Sequence, residues 1–204
     1  MIALRLLRWF LLPLILGGAL AQDSAIVDPA HHKVVFENQW VRAILYDVPS
    51  HAATVRHSHP DSVSIELPDG ATEWYPATTH NPVNDSDNGW HGIKVELKDY
   101  SVDSPNKDQV RRPEKDPILA APAEHRLIFA NKRIRVMRFH LSAHTKAPEH
   151  QHLATVVITL PGGEVSWFAP TIHSPENTSD KAADGLLVEL LEGAKESSPK
   201  SPPQ

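Results

Sequence analysis

From His57 to Leu67 the chain alternates with a period of two. His57, His59, Val63, Ile65 and Leu67 take the odd positions, and Ser58, Ser62, Ser64 and Glu66 fall between them. This is the pattern of a half-buried strand, and it predicts an inner odd face carrying both imidazoles. Later in the chain the even positions His150, His152, Ala154, Val156, Ile158 and Leu160 repeat it, with Val157 making the other face less polar. The segments Pro68-Asp69-Gly70 and Pro161-Gly162-Gly163 supply turn chemistry, because glycine accepts positive φ and proline presets the backbone of a tight turn. Further strands are predicted around 34–36, 41–48, 72–75, 93–97 and 164–168. The weak helical period over 184–191 reads better as a closing strand, so the predicted class is all-β.

The alternation recurs because the chain repeats. Offset by 93, residues 32–97 match residues 125–190 without a gap. Phe36 falls on Phe129, Asn38 on Asn131, Arg42 on Arg135 and His51 on His144. His57-x-His59 falls on His150-x-His152, and Trp74, His80, Pro82 and Asn84 fall on Trp167, His173, Pro175 and Asn177. Val95-Glu96-Leu97 closes the unit as Val188-Glu189-Leu190. A gapless match of this length implies duplication of one structural unit. The expected organisation is a unit at 32–98, a proline-rich surface linker at 99–123, a second unit at 124–191, and a polar tail at 192–204 without structure. Units this small bury little core alone, so they are expected to pack together and to exchange terminal strands.

Composition narrows the setting. Arg5 and Arg8, an apolar run and Ala19-Leu20-Ala21 precede Gln22, the order of a secretory signal peptide at 1–21. The expectation is therefore an exported protein, periplasmic or secreted, with no membrane span after cleavage. The chain has no cysteine, so disulfides and thiolate ligands are excluded and any metal must be held by nitrogen and oxygen. A formal net charge of -5 with scattered charges offers no basic stripe for nucleic acid. A small-molecule ligand and a homo-oligomer are both compatible with the sequence.

The candidate chemistry lies in the histidines, 13 in all. Two at i and i+2 on a strand project from one face. A third, His80 or His173, arrives on the next strand and can approach the first two across a hairpin. Three neutral imidazoles converging this way suit a divalent ion such as Zn, Fe, Mn, Ni or Cu. The candidate ligands are thus His57, His59 and His80 in the first unit and His150, His152 and His173 in the second. His51 and His144 stand six residues before the pairs as candidates for a fourth ligand, although a loop position there favours an ordinary hydrogen bond. Trp74 and Trp167 are read as packing residues, and His91 and His140 as surface residues.

These motifs resemble the cupin superfamily, in which one strand carries His-x-His and a later segment carries a proline, a histidine and then an asparagine four residues on. The counterparts here are His57-Ser58-His59 and His150-Gln151-His152, followed by WYPATTHNPVN (74–84) and WFAPTIHSPEN (167–177). The resemblance covers both units and implies two antiparallel barrels. It also marks two departures. Val63 and Val156 stand where the family usually places a ligand glutamate, and the interval from His59 to His80 is short, which implies abbreviated barrels. Across the family, function ranges from dioxygenases and isomerases to inert storage proteins. Three readings follow: a metal-dependent oxygenase or isomerase acting on a small molecule, a non-catalytic binding module, and a structural barrel.

Overall fold

The computed structural model describes residues 22–99, 104–191 and 195–196; the expected signal peptide and the rest of the tail lie outside them. The class is all-β, as the alternation predicts. Each unit opens with one helical turn, α1 (Ser24–Val27) in the first. There follow β1 (His32–Glu37), β2 (Val41–Val48), β3 (His57–His59), β4 (Ser62–Glu66), β5 (Thr72–Tyr75), β6 (Thr78–His80) and β7 (Trp90–Leu97). Between the units lie β8 (Val110–Arg111), a 3-10 turn at Pro113–Lys115 and α2 (Pro117–Ala120). The second unit contains β9 (His125–Ala130), β10 (Ile134–Leu141), β11 (Thr145–Lys146), β12 (His150–His152) and β13 (Thr155–Thr159). It continues through β14 (Val165–Phe168), β15 (Thr171–His173), β16 (Glu176–Asn177) and β17 (Ala183–Leu190). In the tail, β18 (Lys195–Glu196) pairs in parallel with β8.

Each unit folds its own antiparallel five-stranded sheet, ordered β1-β2-β7-β4-β5 in the first and β9-β10-β17-β13-β14 in the second. The expected exchange of terminal strands does not occur among the described residues. The hairpins β1–β2 and β9–β10 close within their own units, because Asn38 and Asn131 side chains accept backbone N–H groups across each short turn. The two sheets do pack together as expected. Val63, Ile65, Ile93, Val95 and Leu97 share one buried cluster with Val156, Ile158, Leu186, Val188 and Leu190.

That shared core corrects the predicted face. Val63 and Ile65 point toward the partner unit, whereas His57 and His59 share a cavity inside their own unit with Ser64 and Glu66. The strand breaks at Pro60-Asp61, and the break inverts the alternation between β3 and β4. In the second unit the break falls at Leu153-Ala154, so Val157, one position off the predicted inner face, lines the histidine cavity.

The two tryptophans pack, as predicted, but between units. Trp167 stacks on Trp40 at 5.5 Å and Trp74 on Phe129 at 6.2 Å. Gly70 and Gly163 hold φ of 81° and 75°, which glycine adopts without steric cost. A Cβ on Gly70 would also lie 2.8 Å from Leu186 and 2.9 Å from Leu160. The turns must be bare for the units to close on each other.

The segment expected to run over the surface as a linker is partly buried. Asn106 is fully buried; its amide donates to the Leu190 carbonyl and its Oδ1 accepts the Ala154 N–H. Asp116 caps α2 as Asp23 caps α1, 93 residues earlier. The repeat therefore begins at the aspartates, upstream of the predicted boundary.

One core spanning two units should unfold as one. We expect Ile65→Ala and Ile158→Ala each to lower stability by about 2–5 kcal/mol and to leave a single cooperative urea transition. Two separate transitions would show the units to be independent.

Candidate metal centres

The paired strands bring the predicted residues together. In β3–β6 the register sets His57 directly opposite His80, and in β12–β15 His150 stands opposite His173. Opposed residues share a face, so their side chains meet. The ring centroids of His57 and His80 lie 4.8 Å apart, and those of His59 and His80 5.4 Å. The equivalent distances in the second unit are 4.7 and 5.3 Å.

Each group gains a fourth imidazole. His32, the first residue of β1, lies 4.6 Å from the His57 ring and 5.9 Å from that of His59. His125 on β9 approaches His150 and His152 at 4.6 and 5.3 Å. Ligand atoms of His32, His57 and His59 fall within 4.8 Å of one another, as do those of His125, His150 and His152. Neither His32 nor His125 stands at motif spacing. Their signal was the repeat itself, whose gapless sequence match opens on that pair.

Hydrogen bonds assign the ring nitrogens. His57 Nδ1 donates to the Val55 carbonyl at 2.6 Å and His150 Nδ1 to the Pro148 carbonyl at 2.7 Å. His32 and His125 Nδ1 donate to the carbonyls of Asp28 and Ala121 at 3.3 and 3.2 Å. His59 and His152 Nδ1 donate to Glu96 and Glu189, both at 2.6 Å. In all six rings Nε2 is left as the lone-pair atom. His57 Nε2 and His80 Nε2 are buried without a partner, a costly arrangement unless a cation or donor sits between them. In the second unit His173 Nε2 lies 3.1 Å from His150 Nε2. With His150 Nδ1–H committed elsewhere, His173 must donate unless both lone pairs face a shared cation.

Behind each quartet runs a chain of ion pairs, partly buried in the first unit and buried in the second. Glu96 accepts from His59 through one oxygen and from Arg42 through the other, at 2.8 Å, and Arg42 continues to Asp23. Glu189, Arg135 and Asp116 repeat the chain, with Arg135 2.7 Å from Glu189 and 2.6 Å from Asp116. Burial alone would raise the carboxyl pKa of Glu189, but His152 and Arg135 hold it below the ordinary carboxylate value. A carboxylate behind a ligating histidine fixes the tautomer and makes the ring a better donor to a metal.

Burial, and after it the neighbouring imidazoles, push His32, His80, His125 and His173 from 6.5 down to about 4. Burial also lowers His57 and His150. These six imidazoles therefore favour the neutral form that metal ligands require.

The remaining candidates have other roles. His51 and His144 sit at positive φ in exposed loops and contact Asp87 and Asp180 at 3.1 and 2.9 Å, outside both quartets. His91 and His140 lie beside Asp47 and Asp184 at the surface, at 3.9 and 3.7 Å. Asn84 and Asn177, the motif asparagines, donate to three carbonyls each and tie loops together. Each quartet opens on a cavity, of about 230 Å³ in the first unit and 260 Å³ in the second. The second also contains Glu124, whose Oε2 is buried without a partner.

In each unit a His-x-His strand meets a third histidine from the strand paired with it, beside a five-stranded antiparallel sheet. The arrangement resembles the cupin fold, in two copies. No family profile matches the chain, and no curated protein sequence does. Among solved structures the chain is similar to AerE from Microcystis aeruginosa, at 12% identity and TM-score 0.46, covering 79% of this chain and 98% of that one. A cupin 2 conserved barrel domain protein from Leptotrichia buccalis matches at 8% identity and TM-score 0.40, covering 78% and 88%. A salicylate 1,2-dioxygenase from Pseudoaminobacter salicylatoxidans, solved as adducts with gentisate, matches at 11% and 0.41, covering 85% and 76%. At these values none bears on activity, and the resemblance to cupins rests on the strand order and the histidines.

Two outcomes follow. In chelator-treated protein the unfolded histidines take up protons below 6.5, whereas four of the folded ones do so only near 4. The unfolded state then binds more protons within that window, so stability rises with pH across it and levels off above. The urea midpoint should fall as pH drops from 6.5, already above about 5 where carboxylates stay ionised; a flat midpoint would contradict the burial of neutral rings. Glu189→Gln should weaken transition-metal affinity of the second unit by about 10–100-fold, with the first unit unchanged, as read by competition with a chromogenic chelator.

Proposed function

We propose that this cupin-like protein holds one divalent transition metal in each unit, on His32, His57, His59 and His80 and on His125, His150, His152 and His173, and that it is an exported enzyme acting on a small molecule. The observation that carries the proposal is the convergence of imidazoles in each unit, three of the four rings being fixed at Nδ1 by a carbonyl or a carboxylate so that Nε2 is the lone-pair atom. An all-imidazole set suits Zn, Fe, Ni or Cu better than Mg or Ca. Bound there, such an ion supplies a Lewis-acid centre able to polarise a ligand oxygen or O2, which fits oxygenase or isomerase chemistry.

The chain's own residues define what surrounds that centre. In the second unit Phe139, Leu141, Phe168 and Leu187 line the cavity and exclude water. The unpartnered Oε2 of Glu124 is placed to act as a general base toward a bound hydroxyl. Export is part of the proposal and rests on residues 1–21 of the sequence.

Four imidazoles favour a second reading. A closed four-ligand shell characterises structural and binding sites, whereas catalytic sites leave a position open. The cavity adjoining each quartet favours the enzyme.

Elemental analysis of mature protein, purified without tag or chelator, should find two equivalents of transition metal per chain. His32→Ala with His59→Ala should reduce this to one, as should His125→Ala with His152→Ala. No metal in the wild type, and none gained on reconstitution, would contradict the proposal. A full complement of metal with no turnover in oxygen-consumption and isomerisation screens would favour the binding module.

A further inference from the structure

The two cavities share their histidines and differ in the residues beside them. Tyr46, Ser64, Tyr75 and Lys94 line the first. At the same repeat positions Phe139, Val157, Phe168 and Leu187 line the second. Every change removes a hydroxyl or a charge, so the second cavity suits an apolar ligand and the first a polar one.

Lys94 is the decisive residue. It is buried, and its Nζ donates one hydrogen bond, to Ser64 Oγ at 2.9 Å, while lying 4.4 Å from the centre of the Tyr75 ring. Among the described residues no carboxylate lies within ion-pair distance of it. Glu96, two residues along the strand, is committed to Arg42 and His59. Glu66 is exposed at the cavity rim and accepts from the Tyr46 hydroxyl at 3.3 Å, and Glu73 is exposed and accepts from Tyr75. A buried ammonium without a counter-ion is costly. The sheet does not require it, since Leu187 fills the same position of the same fold in the second unit.

We infer that the first unit binds a small organic carboxylate. The Lys94 ammonium and the Ser64 hydroxyl donate to the carboxylate, and the body of the ligand lies against Tyr75 and Trp90, which line the same cavity. One cation and one hydroxyl match a monoanion; the aromatic walls match an organic body better than a free inorganic ion. The inference deepens the proposed function by giving the first unit its substrate class, and it takes the adjoining quartet as the metal centre.

Benzoate and its neutral counterpart benzamide serve as probes in calorimetric titrations of the full mature protein, metal-loaded and chelator-treated, with metal content measured on each sample. The wild type should bind benzoate about tenfold or more tightly than benzamide. Lys94→Leu should abolish that preference while leaving metal content unchanged, and Lys94→Arg should keep part of it. The leucine variant carries the side chain of its twin position, and its circular dichroism checks that it folds. Equal affinity for the two probes in the wild type, or a preference that survives Lys94→Leu, would overturn the inference. Failure to load metal while the Lys94-dependent preference persists would instead sink the proposed metal centre and leave the anion site standing.

Discussion

A carboxylate buried at the centre of each unit constrains the rest of the site. Glu96 and Glu189 stand in the interior, where an uncompensated charge would cost several kcal/mol, so each must be met on both oxygens. Arginine meets one oxygen and histidine the other. Arg42 and Arg135 are in turn satisfied by Asp23 and Asp116, which also cap the helical turns that open each unit. The order of these contacts ties the entry segment, the central strands and the histidine strand into one electrostatic chain. Its last link holds an imidazole with Nδ1–H outward and Nε2 facing the quartet.

The scaffold around this chain is conservative between the two halves, and the cavity walls are not. The inter-unit core, the positive-φ glycines and the charge relay recur at the same offset because each is needed for the sheets to close. Positions facing the ligand space are free of that requirement, and there hydroxyls and an ammonium in one half become phenylalanine, valine and leucine in the other. A duplicated site can keep its imidazoles and change what it admits, since the groups that fix the rings lie behind them and the groups that select a ligand lie in front.

Much of this was legible in the sequence. The 93-residue offset and the two-residue alternation gave the strands, and His-x-His with its partner on the next strand gave six of the eight imidazoles. His32 and His125 escaped because a ligand alone at the start of a strand has no local spacing; only the recurrence of histidine at the same repeat position marked them. The inward face was misassigned because a two-residue break at Pro60-Asp61 inverts every later side chain, and alternation on either side of the break reads as continuous. Lys94 and Glu96 lie in a strand whose other face is Ile93, Val95 and Leu97, so they read as the solvent side of a half-buried strand. Their burial depends on the barrel closing over them, which no local pattern records.

Six imidazoles, bonded at Nδ1, leave their Nε2 lone pairs to the two proposed metal centres. Long-range proton–nitrogen NMR of the histidine rings, recorded during titration with Zn(II), tests this most directly. In the metal-free protein the His59 and His152 rings should carry a proton on Nδ1, against Glu96 and Glu189. Nε2 resonances of both quartets should then shift together and saturate at two equivalents of metal. Nε2-protonated tautomers for His59 and His152, or resonances that ignore the metal, would contradict this assignment.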